Sequence, residues 1–334
     1  AAPGRPPWRL YAVSNAGSLL GLVGFPFLFE PRWPLPVLAA GWSGLFVLFA
    51  LGLAGCALAV PAMTAAPGGA EASTDGDAEA PAPGLVRWMW VLLAAVTSAL
   101  FLATTNQLCQ EVALVPLLWV MPLAVYLVTF ILCFESPRWY GRRWMLAAAA
   151  VSTLVALVCA FVGLRLSIPI QIAAHGTLLF FFCMVGHGEL ARLKPAPRHL
   201  SGFYLLVALG GALGGAAVSL GAPLLLTRVS EFHITLLAGW VVVTWVLSRD
   251  RESVLFTGDR QYFYLLVFLA VVLLGHALGV RFGLGGYPRG WWRLLVAAAA
   301  ATALAAWVLR HRPVPSRPLW PRVLVALILL AAEL

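Results

Sequence analysis

Long apolar runs constrain this sequence more than any other feature. A hydrocarbon core about 30 Å thick needs about 20 apolar residues per helix, because an α-helix rises about 1.5 Å per residue. Backbone groups in lipid must bond within their own segment, and the sequence lacks the alternating pattern of a membrane barrel. The sequence therefore predicts an all-α, polytopic transmembrane bundle of about 11 helices at residues 10–29, 37–60, 88–106, 112–134, 144–163, 168–187, 201–226, 232–248, 262–280, 291–309 and 321–334.

The composition excludes a soluble globular protein. Of the 334 residues, 62% are hydrophobic and 10% are charged, and the mean hydropathy is +0.92. Soluble domains carry about 25% charged residues. A lipid bilayer is therefore the expected surrounding of most of the chain.

A linker at residues 61–86 divides the predicted bundle. It is rich in Ala, Pro and Gly and carries four acids but no basic residue. Such a stretch buries too little apolar surface to order itself, so we interpret it as a solvated tether, with an acidic docking segment as the alternative. The predicted units are a helix pair at 1–60 and a helical bundle at 87–334.

The basic residues predict the orientation of the chain. When connections are assigned alternately to two sides, the side of the N-terminus holds 16 of the 22 Lys and Arg residues. Cytoplasmic loops carry such an excess, so we expect a cytoplasmic N-terminus. The basic residues are dispersed and form no stripe with interleaved aromatics, so no nucleic-acid partner is expected.

The sequence contains no pattern that indicates catalysis, a metal or a cofactor. The five cysteines lie within or at the edges of apolar runs without Cys-x-x-Cys spacing, so neither a zinc site nor a disulfide framework is indicated. We expect no catalytic, cofactor-binding or metal-binding residue in this chain.

A polar cluster lies between the third and fourth runs, at Asn106, Gln107, Gln110 and Glu111. If the helix continues through it, these four residues share an arc of about 140° and form a polar stripe that lines a bundle interior or cavity. If the helix stops at Asn106, they form a short turn that touches water. We favour the turn.

Two groups of small residues predict close helix packing. Ser14, Gly17, Ser18 and Gly21 share one helical face, although Asn15 beside them could instead line a substrate path. The second group is a tandem Gly-x-x-x-Gly motif that pairs Gly210 with Gly214 and Gly211 with Gly215.

The end of the sixth run predicts a cytoplasmic loop that meets lipid headgroups. Glu189 and Arg192 have the i, i+3 spacing of an ion pair. Arg192, Lys194 and Arg198 are placed to meet anionic headgroups. His187 has no second ligand at a suitable spacing, so we interpret it as hydrogen-bonded.

Several motifs in order resemble the membrane region of bacterial proteins described as fused major-facilitator and spermidine-synthase-like. They are residues 10–20 with Pro26, Glu30 and Pro31, residues 106–111 and 117–123, residues 130–134 and 137–140, and residues 187–199 with Phe203, Tyr204 and the double-glycine motif. The resemblance implies further helices upstream and a soluble aminopropyltransferase-like domain downstream. Because the sequence starts at Ala1 without Met and ends inside an apolar run, we expect a longer polypeptide.

Three functions remain open. The small-residue faces and scarce buried charge favour a non-catalytic scaffold or anchoring subunit that assembles with other membrane proteins. The helix number and the polar cluster would suit a transporter of a small solute such as a polyamine or amino acid. The resemblance implies, third, the membrane half of a fusion enzyme. The expected location is the bacterial inner membrane.

Overall fold

The computed structural model describes residues 8–59, 83–112, 118–162, 166–226 and 231–253, and these are largely helical. The helices are α1 (Trp8–Gly24), α2 (Leu35–Ala59), α3 (Gly84–Asn106), α4 (Val120–Glu135), α5 (Arg142–Val162), α6 (Ile168–Arg192), α7 (Leu200–Ala216), α8 (Ala222–Leu225) and α9 (Glu231–Leu247). Short 3-10 turns at Pro137–Trp139 and Pro197–His199 lie in two of the connections.

Three of the helices continue into π-helical segments. Phe25–Phe29 extends α1, Gln107–Val112 extends α3, and Ala217–Gly221 joins α7 to α8 without a break. The described residues therefore form eight continuous helices. They correspond to the first eight predicted runs, and the last three runs, from residue 262 onwards, lie outside the described residues.

Four of these helices are long and apolar enough to cross a membrane: Leu35–Leu58, Gly84–Cys109, Ile168–Arg192 and Leu200–Leu225. Three shorter apolar helices are Val13–Phe29, Val120–Glu135 and Glu231–Leu247. The prediction of an all-α fold is thus confirmed for the described residues. The predicted number of about 11 helices exceeds the eight found there.

Proline and serine set several helix limits. Pro169 lies in the first turn of α6, where its missing N–H costs no helical hydrogen bond. Ser136 ends α4 in an extended conformation just before Pro137, a residue that disfavours helical geometry in the residue preceding it. The short connection that follows carries Tyr140 and brings the chain to Arg142.

The chain divides into two compact units. One consists of residues 18–81 and contains α2, and the other consists of residues 1–17 and 82–334. The boundary after residue 81 falls within the predicted linker, whose residues 61–82 lie outside the described ones. The predicted helix pair at 1–60 and helical bundle at 87–334 stay predictions.

Helix α3 is central to the second unit, since it packs against α6, α7 and α9. Gly210 and Gly214 of α7 lie so close to α3 that a methyl group on either would overlap the carbonyl group of Val91 or Ala95. The hydroxyl of Ser98 also donates to the carbonyl oxygen of Gly211, 3.0 Å away. A small-residue face thus lets two helix backbones approach closely.

The buried side chains form two apolar groups along the second unit. One contains Phe182, Phe232 and Trp240, and Trp240 donates its indole N–H to Thr153 at 3.1 Å. The other contains Trp90, Phe134 and Phe203, with the Trp90 and Phe203 rings edge to face at 5.1 Å. The second group lies where α3 and α7 begin and where α4, α6 and α9 end. We call this the Arg142 end of the bundle.

Candidate functional site

A buried guanidinium organises the Arg142 end. Arg142 is the first residue of α5, and its side chain is 10% exposed. Its Nη2 donates to Oε2 of Glu189 at 2.9 Å, and its Nη1 donates to Oδ2 of Asp250. Its Nε lies 2.7 Å from Oε1 of Glu189 in an ion-pair contact that lacks hydrogen-bond alignment. One arginine therefore links the start of α5 to α6 and to the residues after α9.

Tyr140 completes this group, which we call the Arg142 cluster: Tyr140, Arg142, Glu189 and Asp250. The Tyr140 hydroxyl donates to Oε1 of Glu189 at 2.7 Å. Burial, followed by the negative charge and hydrogen bond of Glu189, raises the pKa of Tyr140 well above its ordinary range. Tyr140 therefore stays protonated and serves as a permanent donor to the carboxylate.

The pKa of Asp250 is shifted by opposing effects. Burial alone would raise it, but the backbone N–H of Glu252, 2.9 Å from Oδ1, and the guanidinium of Arg142 lower it overall. Arg192 adds a more distant positive charge, with Nη2 at 3.8 Å from Oδ2. Asp250 is therefore an anion at neutral pH, and the cluster sets one guanidinium against two carboxylates, with Arg192 as a further cation beside Asp250.

A cavity of about 260 Å³ adjoins the Arg142 cluster between the start of α3 and the ends of α6 and α9. Its apolar wall consists of Leu85, Val86, Met89, Leu193 and Val246. Its polar wall consists of Glu189, Arg192, Arg249 and Asp250. Trp90 donates to the carbonyl oxygen of Leu193 at 3.0 Å and so fixes the end of α6 against α3. Both apolar and charged groups thus line one small cavity.

The predicted lipid-facing loop is corrected by this geometry. His187 and Glu189 lie inside α6 and are buried, so neither belongs to a loop. Glu189 pairs with Arg142 rather than with Arg192, which contacts Asp250 instead. Lys194 lies in the connection after α6, and burial lowers its pKa. The side chain of Arg198 lies outside the described residues.

His187 occupies a second buried position, on the bundle interior. Its Nδ1 lies 3.1 Å from Oγ1 of Thr129, which gives its own proton to the carbonyl oxygen of Tyr126. The rings of Tyr126 and Phe130 lie edge-on to the imidazole. Its Nε2 is buried and has no hydrogen-bond partner among the described residues.

The predicted polar cluster lies at the opposite end of the bundle. The helix does not stop at Asn106, as the favoured turn requires, because a π-helical segment continues to Val112. Asn106 donates to Oε1 of Glu231 at the start of α9, 3.4 Å away, and Gln107 is buried. The side chains of Gln110 and Glu111 lie outside the described residues, so the predicted stripe is visible only in its first half.

The predicted packing residues divide into two groups. Gly210 and Gly214 contact α3, whereas Gly211 presents its Cα to open space and Gly215 makes only an ordinary contact with Leu102. Gly17 and Gly21 of α1 have no neighbour close to the position of a Cβ among the described residues. Ser14 and Ser18 lie on the same helix and are largely exposed.

Sequence reasoning missed Tyr140, Arg142 and Asp250. A signal was present, because Glu189 follows directly on an apolar run and an acid in such a position needs a cation or hydrogen-bond donors. Which of the arginines on its side of the bundle would reach it depends on packing between helices distant in sequence. Among the described residues, no group of three or more His, Cys, Asp or Glu side chains is arranged to hold a metal ion.

Comparison with protein-family models, with curated proteins and with solved structures gives no match for this chain. The family resemblance described above therefore has no support beyond its motifs.

Proposed function

We propose that this protein is a non-catalytic integral membrane scaffold that binds other membrane subunits through α2. The observation that carries this proposal is that α2 has no buried side chain among those described. Its span Leu35–Leu58 is strongly apolar, yet none of its most apolar 18-residue window is buried there. A helix of this kind needs lipid or another protein around it.

The two faces of α2 differ in a way that favours a protein partner on one of them. Bulky side chains, Trp42, Leu45, Phe46, Phe49 and Leu53, share one face at about 100° per residue. Gly41, Gly44, Gly52 and Gly55 share an adjacent arc of about 80° together with Leu48, and nothing described lies within 4 Å of a Cβ at any of these glycines. Glycine-lined faces in membranes typically allow close helix–helix contact. We assign the partner as an apolar transmembrane helix of another subunit.

Purification in mild detergent tests the scaffold function. We expect the wild-type chain to retain at least one other membrane polypeptide, and Gly44→Leu combined with Gly52→Leu to lose it. The matched control is Ala50→Leu, which adds the same side chain on a different face of α2 and should retain the partner. A wild-type protein that is a monodisperse lone monomer would contradict the proposal.

The proposed orientation places the Arg142 end in the cytoplasm of a bacterium, with the bundle in the inner membrane. Its support is the excess of basic residues on the connections of this side, together with exposed tryptophans Trp88, Trp139 and Trp144 at the same end. Single cysteines at Arg138 and at Ser167 in a cysteine-free background provide the test. In intact cells, a membrane-impermeant maleimide should label the Ser167 position and spare the Arg138 position; the reverse pattern would overturn the orientation.

Transport of a small solute is the second candidate, and buried polar groups on α6 favour it. His175 and His187 are both about 1% exposed, and the Nε2 of each has no hydrogen-bond partner among the described residues. Polar groups inside a membrane bundle often line solute pathways. Uptake of polyamines and amino acids into proteoliposomes should fall in His187→Gln and in Glu111→Ala. Uptake that is unchanged in both variants would remove this candidate.

A further inference from the structure

The charged side chains around the cavity at the Arg142 end differ in how fully they are paired. The carboxylates of Glu189 and Asp250 already accept hydrogen bonds from Arg142, Tyr140 and the backbone of Glu252. The two arginines in the cavity wall, Arg192 and Arg249, are less committed. Arg192 is 46% exposed and reaches Asp250 only at 3.8 Å.

Arg249 also lines the cavity. Its guanidinium carbon is 5.9 Å from the centroid of the Trp245 ring, a cation–π contact on its own helix end. Counted with Arg142 behind the wall, three guanidinium groups face two carboxylates, so the cavity region carries one excess positive charge. An anion is therefore the complementary ligand.

We propose that this cavity binds the phosphate group of an anionic phospholipid, with Arg192 and Arg249 as the groups that contact it. Arginine forks match the oxygens of a phosphate and form charge-assisted hydrogen bonds with them. Basic pockets between transmembrane helices are known to take anionic lipid headgroups. The ligand is assigned as phosphatidylglycerol, whose headgroup carries one negative charge and so matches the single excess positive charge of the cavity region.

The shape of the cavity favours a lipid over a free anion. Leu85, Val86 and Met89 form an apolar wall along the first turns of α3, where an acyl chain or glycerol backbone finds matching surface. Trp88 on the same turns is 64% exposed, as expected of an interfacial tryptophan. At about 260 Å³ the cavity is smaller than the about 300–1,000 Å³ of drug-sized ligand sites, which suits a headgroup.

Native mass spectrometry of the delipidated full-length chain tests this site. Dioleoylphosphatidylglycerol and dioleoylphosphatidylcholine are titrated separately, and dissociation constants are taken from the lipid-bound fractions. We expect phosphatidylglycerol to bind about tenfold more tightly. Arg192→Gln and Arg249→Gln should each weaken it about tenfold, the effect of about one charge-assisted hydrogen bond. Arg138→Gln, an exposed charge at the same end but outside the cavity, should leave the affinity within about twofold.

Three results would overturn the proposal. The first is equal affinity of the wild-type chain for both lipids, which would exclude an anion-selective site. This measurement does not depend on whether any variant folds. An equal loss in Arg138→Gln would indicate nonspecific attraction. Inorganic phosphate that binds through Arg192 and Arg249, without any preference for phosphatidylglycerol, would assign the site to a soluble phosphate. The titration uses the isolated chain, so its outcome is independent of whether α2 binds another subunit.

Discussion

Arg142 and Glu189 each lie at the helix end that disfavours their charge. A cation at the start of α5 and an anion in the last turn of α6 both oppose the helix macrodipole. Helix preference therefore does not explain either residue, whereas their mutual ion pair does. Because Glu189 is 3% exposed, removing Arg142 would leave this carboxylate buried without a cation, whereas removing Glu189 would leave Arg142 paired with Asp250 alone.

Replacement of Glu189 should therefore be costly. We expect Glu189→Ala to lower the free energy of unfolding by about 1.5–3 kcal/mol, because Tyr140 and Arg142 lose a charged hydrogen-bond partner while Arg142 keeps Asp250. Chemical unfolding in detergent measures the change. Glu252→Ala removes an exposed carboxylate close by and should change stability by less than about 0.5 kcal/mol. Equal effects of the two variants would show that the Arg142–Glu189 pair does not stabilise the fold.

Gly188 supports the same cluster by leaving room for Tyr140. A methyl group on Gly188 would overlap the Tyr140 ring near its attachment to the backbone, so the ring cannot move aside cheaply. We expect Gly188→Ala to destabilise the protein by about 1–3 kcal/mol. Gly202→Ala in α7 has open space at the same position and should be neutral or slightly stabilising. Thermal unfolding of the two variants is compared, and a similar midpoint in both would contradict this account.

At the scale of elements, the contact between α3 and α7 depends on one pair of glycines out of two. The tandem motif predicts close packing but does not specify which pair contacts the neighbour, because the two pairs lie one residue apart and face different directions. A Cβ at Gly210 or Gly214 would overlap the backbone of α3, whereas one at Gly211 would meet nothing and one at Gly215 would meet only the side chain of Leu102. That choice depends on how α3 is rotated, which the sequence of α7 alone does not contain.

Adjacent glycines provide a matched test of this contact. Gly210→Val should separate α3 from α7 and lower the free energy of unfolding by about 1–3 kcal/mol, since the carbonyl of Val91 cannot yield without moving the helix. Gly211→Val places the same side chain in open space and should cost less than about 1 kcal/mol. Unfolding in detergent distinguishes them, and a larger loss in Gly211→Val would reverse the assignment of the two faces.

Helix limits were predictable to a large extent, and helix pairing was not. Apolar length placed the first eight helices to within a few residues in most cases, because hydrophobic runs and their polar ends are local properties. The predicted end of α3 at Asn106 is wrong. The polar residues there resemble a turn, but the chain continues as a π-helix to Val112. Glu231, its hydrogen-bond partner, lies 125 residues away, so the contact that accompanies this extension is not local.

For the whole molecule, Arg142, Glu189 and Asp250 meet at one end of the bundle. The alternation of the connections does not predict this contact, since the pairs are separated by 47 and 108 residues in sequence. The cluster therefore depends on the correct packing of α5, α6 and α9 against one another. A measurement that reports on the cluster therefore also reports on the packing of these three helices.

The pH dependence of stability should report on this helix packing through the ionisation of Asp250. A folded-state pKa below the unfolded value means that the ionised form stabilises the fold; this contribution is present above the unfolded pKa and is lost as pH falls through the folded pKa. The thermal midpoint of the wild type in detergent should therefore fall below pH about 4. Asp250→Asn should be less stable at neutral pH and show a smaller acid-induced fall. An identical pH profile would contradict the role of Asp250.

The π-helical segments carry a consequence for chain length. A π-helical turn closes hydrogen bonds over one residue more than an α-helical turn and occurs as a local one-residue expansion. Deleting Ser219 from Ala217–Gly221 should restore regular α-helical bonding while α7 keeps its contact with α3. A related chain that lacks one residue within 217–221 would then keep the same packing faces on α7. A one-residue gap at this segment in a sequence alignment would therefore indicate a continuous helix and not a loop.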